Sequence, residues 1–347
     1  MIDKEGKNDL KNLGEFGLIH LITKNIKLKN QSSLVGVGDD AAILDMGNQL
    51  TVITTDMLTE GIHFNLVYTP LKHLGYKSVI VNLSDIYAMN AIPTQILVSI
   101  AISSRFTTEM IEELYEGIHL ACSVYGVDLI GGDTTSSLIG MTICITAIGA
   151  APKGKIVYRS GAQENDLVCV TGDLGAAFMG LQLLERELKV FDKSGSIQPE
   201  LEGYDYILER QLKPEARRDI INLLAEMEIH PTSMIDISDG LSSEILHLCE
   251  SSETGCKIYA DKIPIAGETR KMAEELNIEP LTTAINGGED YELLFTVPSK
   301  DIDKISSLNG ISIIGHITKK SEGNYLVTPD ASLVEIFALG WNSFKTN

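Results

Sequence analysis

The chain has 347 residues, is 44% hydrophobic but only 6% aromatic, and carries a formal net charge of −20. That length fits two domains, with cores built mainly from Ile, Leu, Val and Ala. So strong a negative charge argues against nucleic acid and anionic membrane surfaces as partners, because both repel it.

Met1 to Lys11 is charged and lacks an apolar segment, so no signal peptide is expected. The uncharged run 136–152 is broken by Gly and Thr and is shorter than the ~20 apolar residues of a spanning helix. Cys122, Cys144, Cys169, Cys249 and Cys256 form no CxxC pair and sit mostly in apolar stretches. They read as reduced core thiols of a cytoplasmic protein.

Residues 41–44 and 50–54 read as strands joined by a turn at Met46-Gly47-Asn48. Pro70 is placed at the first position of a helix that carries Leu74, Val79, Leu83, Ile86 and Tyr87 to about Asn90. Residues 96–103 form a strand-length apolar run. The clearest helix is 107–125: Met110, Ile111, Leu114, Ile118, Ala121 and Cys122 recur at helical spacing. Thr107 caps it and Gly126 ends it. Strands follow at 127–130 and 141–148. The polar stretch 153–166 reads as a linker, dividing the chain into domains 1–150 and 151–347. The second unit opens with a strand at 167–171, a glycine turn at Gly172 and Gly175, and a helix through Leu188. Helices are expected at 214–227, 240–252 and 267–276, and a strand at 291–297. This alternation predicts an α/β or α+β architecture.

Six short acidic clusters interrupt this apolar background: Gly38-Asp39-Asp40, Thr54-Thr55-Asp56, Asn82-Leu83-Ser84-Asp85, Gly131-Gly132-Asp133, Asp236-Ile237-Ser238-Asp239 and Gly287-Gly288-Glu289-Asp290. Between Gln31 and Leu71 there is no Lys or Arg, yet Asp39, Asp40, Asp45, Asp56 and Glu60 lie there. A carboxylate held among apolar neighbours is costly unless its charge is compensated. No cation nearby in sequence does this, and a bound divalent metal is the natural candidate. Gly36-Val37-Gly38-Asp39-Asp40-Ala41 matches GxGxxA, but a hairpin follows where a dinucleotide site needs a helix N-terminus. Its two acids would repel phosphates unless Mg²⁺ stood between. Asn82 and Asp85, three apart, share one face of an apolar helix. Gly131 and Gly132 follow a strand and allow a close approach of ligand to backbone. Either Ser238 or Asp239 can serve as a helix N-cap, which leaves Asp236 unexplained. There is no P-loop, no HExxH zinc spacing and no GxSxG elbow. Trp341, the only tryptophan, is by default a core anchor.

Taken together, VGVGDDAAIL, TTDMLTEGIHF, VNLSDIYAMNAIP, LIGGDTT, RSGA, DISDGLSSEI and NGGEDYELLFTV resemble the thiamine-monophosphate kinases, a family within the aminoimidazole ribonucleotide synthetase superfamily. The likeness runs from Gly14-Glu15-Phe16 to Gly340-Trp341. It implies a two-domain α/β (α+β) fold whose N-terminal sheet forms a barrel across a homodimer. It also implies transfer of the γ-phosphoryl of ATP to thiamine monophosphate, the last step in making thiamine diphosphate. By the same resemblance Asp40, Thr54, Thr55, Asp56, Asp85, Asp133, Asp236 and Asp239 would hold several Mg²⁺ ions, with Asp56, Asp85 and Asp133 central to catalysis. Tyr115, Gly132, Asp133, Arg159 and Ser238 would contact ATP. His63, Glu289 and Trp341 would meet the thiamine phosphate, with Trp341 stacking on its ring. The family usually has Arg where Ser136 stands, so Lys153, Lys155 or Arg159 would do more here. Asp39 and Asp290 receive no role. The alternatives are a superfamily relative acting on another substrate and a non-catalytic ATP and Mg²⁺ binder. A selenophosphate synthetase is disfavoured because the first cysteine is Cys122.

Overall fold

The computed structural model of the chain describes residues 30–194 and 200–338. Two mixed sheets organise it. The first runs in the order β1 (Ser33–Val35), β2 (Ala42–Asp45), β3 (Gln49–Thr59), β6 (Met141–Pro152), β4 (Ile92–Ile102), β5 (Asp128–Ser136). Every pair is antiparallel except β4 and β5, which are joined through helix α2 (Thr108–Tyr125). A parallel pair needs such a crossover. Strand β6 shows why the sheet forms: Met141, Ile143, Ile145 and Ala147 alternate with half-buried Thr142, Cys144, Thr146 and Ile148. This period of two puts one face under the helices and leaves the other open.

Helix α1 (Leu71–Ala88) lies against that covered face and against β8 (Ser233–Asp236) of the second sheet. It is buried on nearly every side, so its polar residues Lys77, Ser78, Asn82 and Ser84 need partners inside the protein. It crosses α2 at Gly75 and Gly117. A Cβ at Gly75 would sit 2.0 Å from the Leu114 carbonyl oxygen, and one at Gly117 1.9 Å from that of Lys72. Glycine there lets the two backbones touch.

The second sheet runs β13 (Leu333–Glu335), β12 (Asn324–Val327), β9 (Thr254–Tyr259), β11 (Ile311–Lys319), β7 (Leu167–Thr171), β10 (Leu293–Val297), β8. Only β9 and β12 pair in parallel. Its helices are α3 (Ala176–Ser194), α4 (Asp205–Leu212), α5 (Arg218–Glu226), α6 (Leu241–Ser252), α7 (Gly267–Glu275), α8 (Pro280–Asn286) and α9 (Ile302–Ser306). Residues 153–166, between the sheets, carry neither helix nor strand. Among the described residues, no helix is long and apolar enough to cross a membrane.

Several local expectations shift. Pro70 is the N-cap of α1 and not its first residue. Thr107 does cap α2, accepting from the Met110 N–H at 3.4 Å, and Gly126 closes it at φ 70°. The helix expected at 214–227 begins only at Arg218. Gly131 to Thr135, expected to follow a strand, lies within β5, paired with Leu97 to Ala101 of β4. Gly132 makes this possible, since a Cβ there would stand 1.7 Å from the Val98 carbonyl oxygen. Neither Ser238 nor Asp239 caps α6: the N-cap is Gly240 at φ 116°, with no side-chain cap bond.

Candidate functional site

The turn before β2, strand β3, helix α1 and the end of β8 converge on one buried group of acids. Asp40, Asp85 and Asp236 each bring a carboxylate oxygen within 4.8 Å of the others. Alternation along β3 puts Thr54 and Asp56 on the covered face with them. Pairing of β2 with β3 stops at Ile53, so Asp56 has no β2 neighbour. The Asn82 side chain of α1 takes that place, its Oδ1 accepting the Asp56 N–H at 3.0 Å while its amide donates to the Ser78 carbonyl. Three residues on, Asp85 Oδ2 accepts from the Thr54 hydroxyl at 2.5 Å. Between them, the Ser84 hydroxyl donates to Asp236 Oδ2 at 2.6 Å. About one turn of α1, from Asn82 to Asp85, thus holds acids from both sheets.

Burial and mutual repulsion load these groups. Burial, then the Asp40 charge, pushes Asp56 up to about 6. Burial and Asp40 also push Asp236 up to about 7, against the hydrogen bond from Ser84. Asp85 rises well above the carboxylate range through burial and then through Asp56, Asp236 and Asp40. Asp40 is different: Arg159 forks onto it, Nε to Oδ2 at 3.1 Å and a terminal nitrogen to Oδ1 at 2.8 Å. Asp39 accepts the backbone N–H groups of Asp40 and Arg159, so it shapes this contact. Burial and then Asp40 raise Asp39 to about 6. The expectation that only a metal compensates these acids is therefore corrected in part. Arg159 reaches Asp40, Lys153 reaches Asp45 and Arg105 reaches Glu60, all from distant sequence. Asp56 and Asp85 make no ion pair with a cationic side chain among the described residues.

The other candidate residues fall into separate places. The Thr55 side chain lies on the open face and donates to the Ile145 carbonyl at 3.0 Å, away from the acids. Tyr115, Gly132 and Asp133 line one cleft of about 500 Å³ at the β5 edge, with Val98 and Leu129. Register puts Gly132 in a row with Val98, Ile145 and Asp56, three strand spacings or about 14 Å across the sheet. Asp133 falls in the next row, with Ser99, Cys144 and Met57, and so belongs to the opposite face from Asp56.

The loop holding Ser238 and Asp239 is tied to the Glu289 loop: the Glu289 N–H donates to the Ser238 carbonyl and the Tyr291 N–H to that of Ile237. The Asp239 N–H donates to buried Glu244. Glu289, at φ 64°, accepts from Gln211 at 2.9 Å and pairs with Lys77 at 3.0 Å. Lys77 also donates to the Gln211 carbonyl. Sequence reasoning missed Lys77, although a cation deeper in this apolar helix than Lys72 at its start was a signal that a buried anion awaits it. Asp290 proves structural, accepting the Gly175 and Ala177 N–H groups before and within the first turn of α3. His63 Nδ1 accepts the Thr59 N–H, which fixes its ring beside the end of β3. Trp341, with Gly14 to Phe16, lies outside the described residues.

This arrangement is an all-oxygen donor set of buried, partly uncompensated carboxylates. It fits a hard divalent cation such as Mg²⁺, which prefers carboxylates and substrate phosphates. Residues 38–151 match the N-terminal domain model of AIR synthase related proteins, and residues 163–327 match the C-terminal domain model. The thiamine-monophosphate kinase of Bacillus subtilis (strain 168) is 33% identical over 96% of this chain and 100% of its own. That of Escherichia coli (strain K12) is 32% identical over 96% and 99%. A solved structure described as AaThiL complexed with AMPPCP and TMP superposes with a TM-score of 0.81 at 30% identity, covering 97% of this chain and 99% of that one.

Proposed function

This chain belongs to the thiamine-monophosphate kinases among the AIR synthase related proteins, and from that premise we propose that it transfers the γ-phosphoryl of ATP directly to thiamine monophosphate. The observation that carries the proposal is the meeting of Asp40, Asp85 and Asp236, drawn from both sheets, within 4.8 Å. The acceptor is a phosphate monoester whose second pKa is about 6, so near neutrality it is largely a dianion and needs no general base. The obstacle is repulsion between two anionic phosphates. Mg²⁺, when bound, supplies the positive charge that lets them approach in line.

The chain's own residues then divide the work. Asp40, Asp56, Asp85 and Asp236 hold the cations, and Asp239, on the adjoining loop, extends the set. Thr54 orients Asp85. Thr55 leaves the set, because its side chain faces the other way. Arg159 and Ser238 are placed toward the phosphates of ATP, and Tyr115 with Gly132 toward its nucleoside. Glu289, set by Lys77 and Gln211, and His63 receive thiamine monophosphate, with Trp341 stacking on its ring. Asp133 faces the open side of the first sheet. A second copy is placed on that face, in a homodimer, and Asp133 is assigned its metal role there.

We keep the division into domains 1–150 and 151–347, a boundary that falls near the end of β6, just before the stretch 153–166 that carries neither helix nor strand. The five free cysteines fit a cytoplasmic location. The test is a coupled assay for thiamine diphosphate, run with and without Mg²⁺ chelation. Product that survives chelation, or ADP formed without thiamine diphosphate, would overturn the proposal.

A further inference from the structure

We infer that Ser84 is a positioning residue: its hydroxyl fixes the rotamer of Asp236 and so registers the second sheet's ligand against those of the first. The inference rests on the reading that these acids hold divalent cations. Asp40 and Asp85 come from the first sheet and its helix, but Asp236 ends β8, the edge strand of the second sheet. Something must set the distance across that boundary. Ser84 is 1% exposed and Asp236 4%, and their contact is 2.6 Å. The hydroxyl binds Oδ2 alone, which leaves Oδ1 for a cation. Thr54 treats Asp85 in the same way, binding only its Oδ2. Carboxylates that ligate metals are themselves oriented by such donors, and loss of one typically weakens metal affinity by ~10–100-fold.

The same helix supplies a matched control. Ser78 is as buried as Ser84, but its hydroxyl donates to the Gly75 carbonyl of its own helix. The experiment is a Mn²⁺ titration of the full chain, read by electron paramagnetic resonance without nucleotide, beside thermal unfolding in chelator. Ser84→Ala is expected to weaken Mn²⁺ binding by at least ~10-fold, with Ser78→Ala matching the unsubstituted chain. Ser84→Cys, which keeps the volume and a weaker donor, falls between, and it carries the test if Ser84→Ala does not fold. Unchanged Mn²⁺ affinity in the folded Ser84 variants overturns the inference, as does equal weakening in Ser78→Ala. Failure of the unsubstituted chain to bind Mn²⁺ overturns it too. Mn²⁺ binding without thiamine diphosphate synthesis would instead refute the proposed reaction, and the Ser84 comparison would still be decisive.

Discussion

Replacing Arg159 with Met isolates what its guanidinium does for Asp40. The Asp40 side chain is 0% exposed and that of Arg159 23%. Both Asp40 oxygens accept from the fork, and the Arg159 backbone N–H on Asp39 survives the substitution. Removing one partner of a buried pair costs ~3–5 kcal/mol, because the remaining charge stays buried. Partial exposure of Arg159 favours the lower end. At about 2 °C per kcal/mol for a large chain, Arg159→Met should unfold about 6 °C lower in chelator. Adding Asp40→Asn to that variant removes the stranded charge and should recover much of the loss. Mg²⁺ should rescue Arg159→Met more than the unsubstituted chain, because a cation at Asp40 replaces the lost charge. Differential scanning fluorimetry of the three proteins, with EDTA and with Mg²⁺, reads all of this. A double variant no more stable than Arg159→Met alone would refute the compensation, as would a negligible shift in EDTA.

Three further outcomes are expected. Gly132→Ala forces a Cβ to 1.7 Å from the Val98 carbonyl oxygen; calorimetry with a non-hydrolysable ATP analogue should show binding weakened by at least ~10-fold, about 1.4 kcal/mol. Lys77→Met strips the cation from Glu289 and should raise KM for thiamine monophosphate by ~10-fold while KM for ATP holds; the reverse pattern would place Glu289 on the nucleotide side. Asp56 and Asp236 have folded pKa values raised to about 6 and about 7, above the ordinary 3.8, so their contribution to stability is full below pH 3.8 and is lost as pH rises through 6 to 7. Cations need the ionised forms, so the gain in unfolding temperature from Mg²⁺ should grow from pH 5.5 to pH 7.5, and an equal gain at both would count against these acids as ligands.

Much of this was legible in the sequence where local chemistry decides. Helix α2 announced itself through helical spacing and through both ends, since Thr107 and Gly126 carry their own capping chemistry. The Asn82 and Asp85 spacing put both residues on one face of α1, and both bond to β3 there. What could not be read was anything set by distant packing. Arg159 stands 119 residues from Asp40, and no local pattern announces that pair. The motif at Gly131 to Thr135 was expected to follow a strand, because two adjacent glycines rarely continue one. Only the Val98 backbone, pressed against Gly132, explains why they lie in a strand. The adjacent acids Glu289 and Asp290 looked alike, yet one faces Lys77 and the other completes the start of α3.

The close backbone packing of α1 on α2 at Gly75 and Gly117 has a reach beyond its own neighbourhood. Ten residues separate Gly75 from Asp85, about 15 Å along α1. An axial slip of one residue would move Asn82, Ser84 and Asp85 by only about 1.5 Å, but would rotate them by about 100°. All three hydrogen-bonded acids would then lose their holders together. The two glycines act as a mechanical stop that keeps the helix in phase. In a screen for lost activity, Gly75→Ala and Gly117→Ala should therefore group with substitutions at the acids, although neither glycine lies near a phosphate.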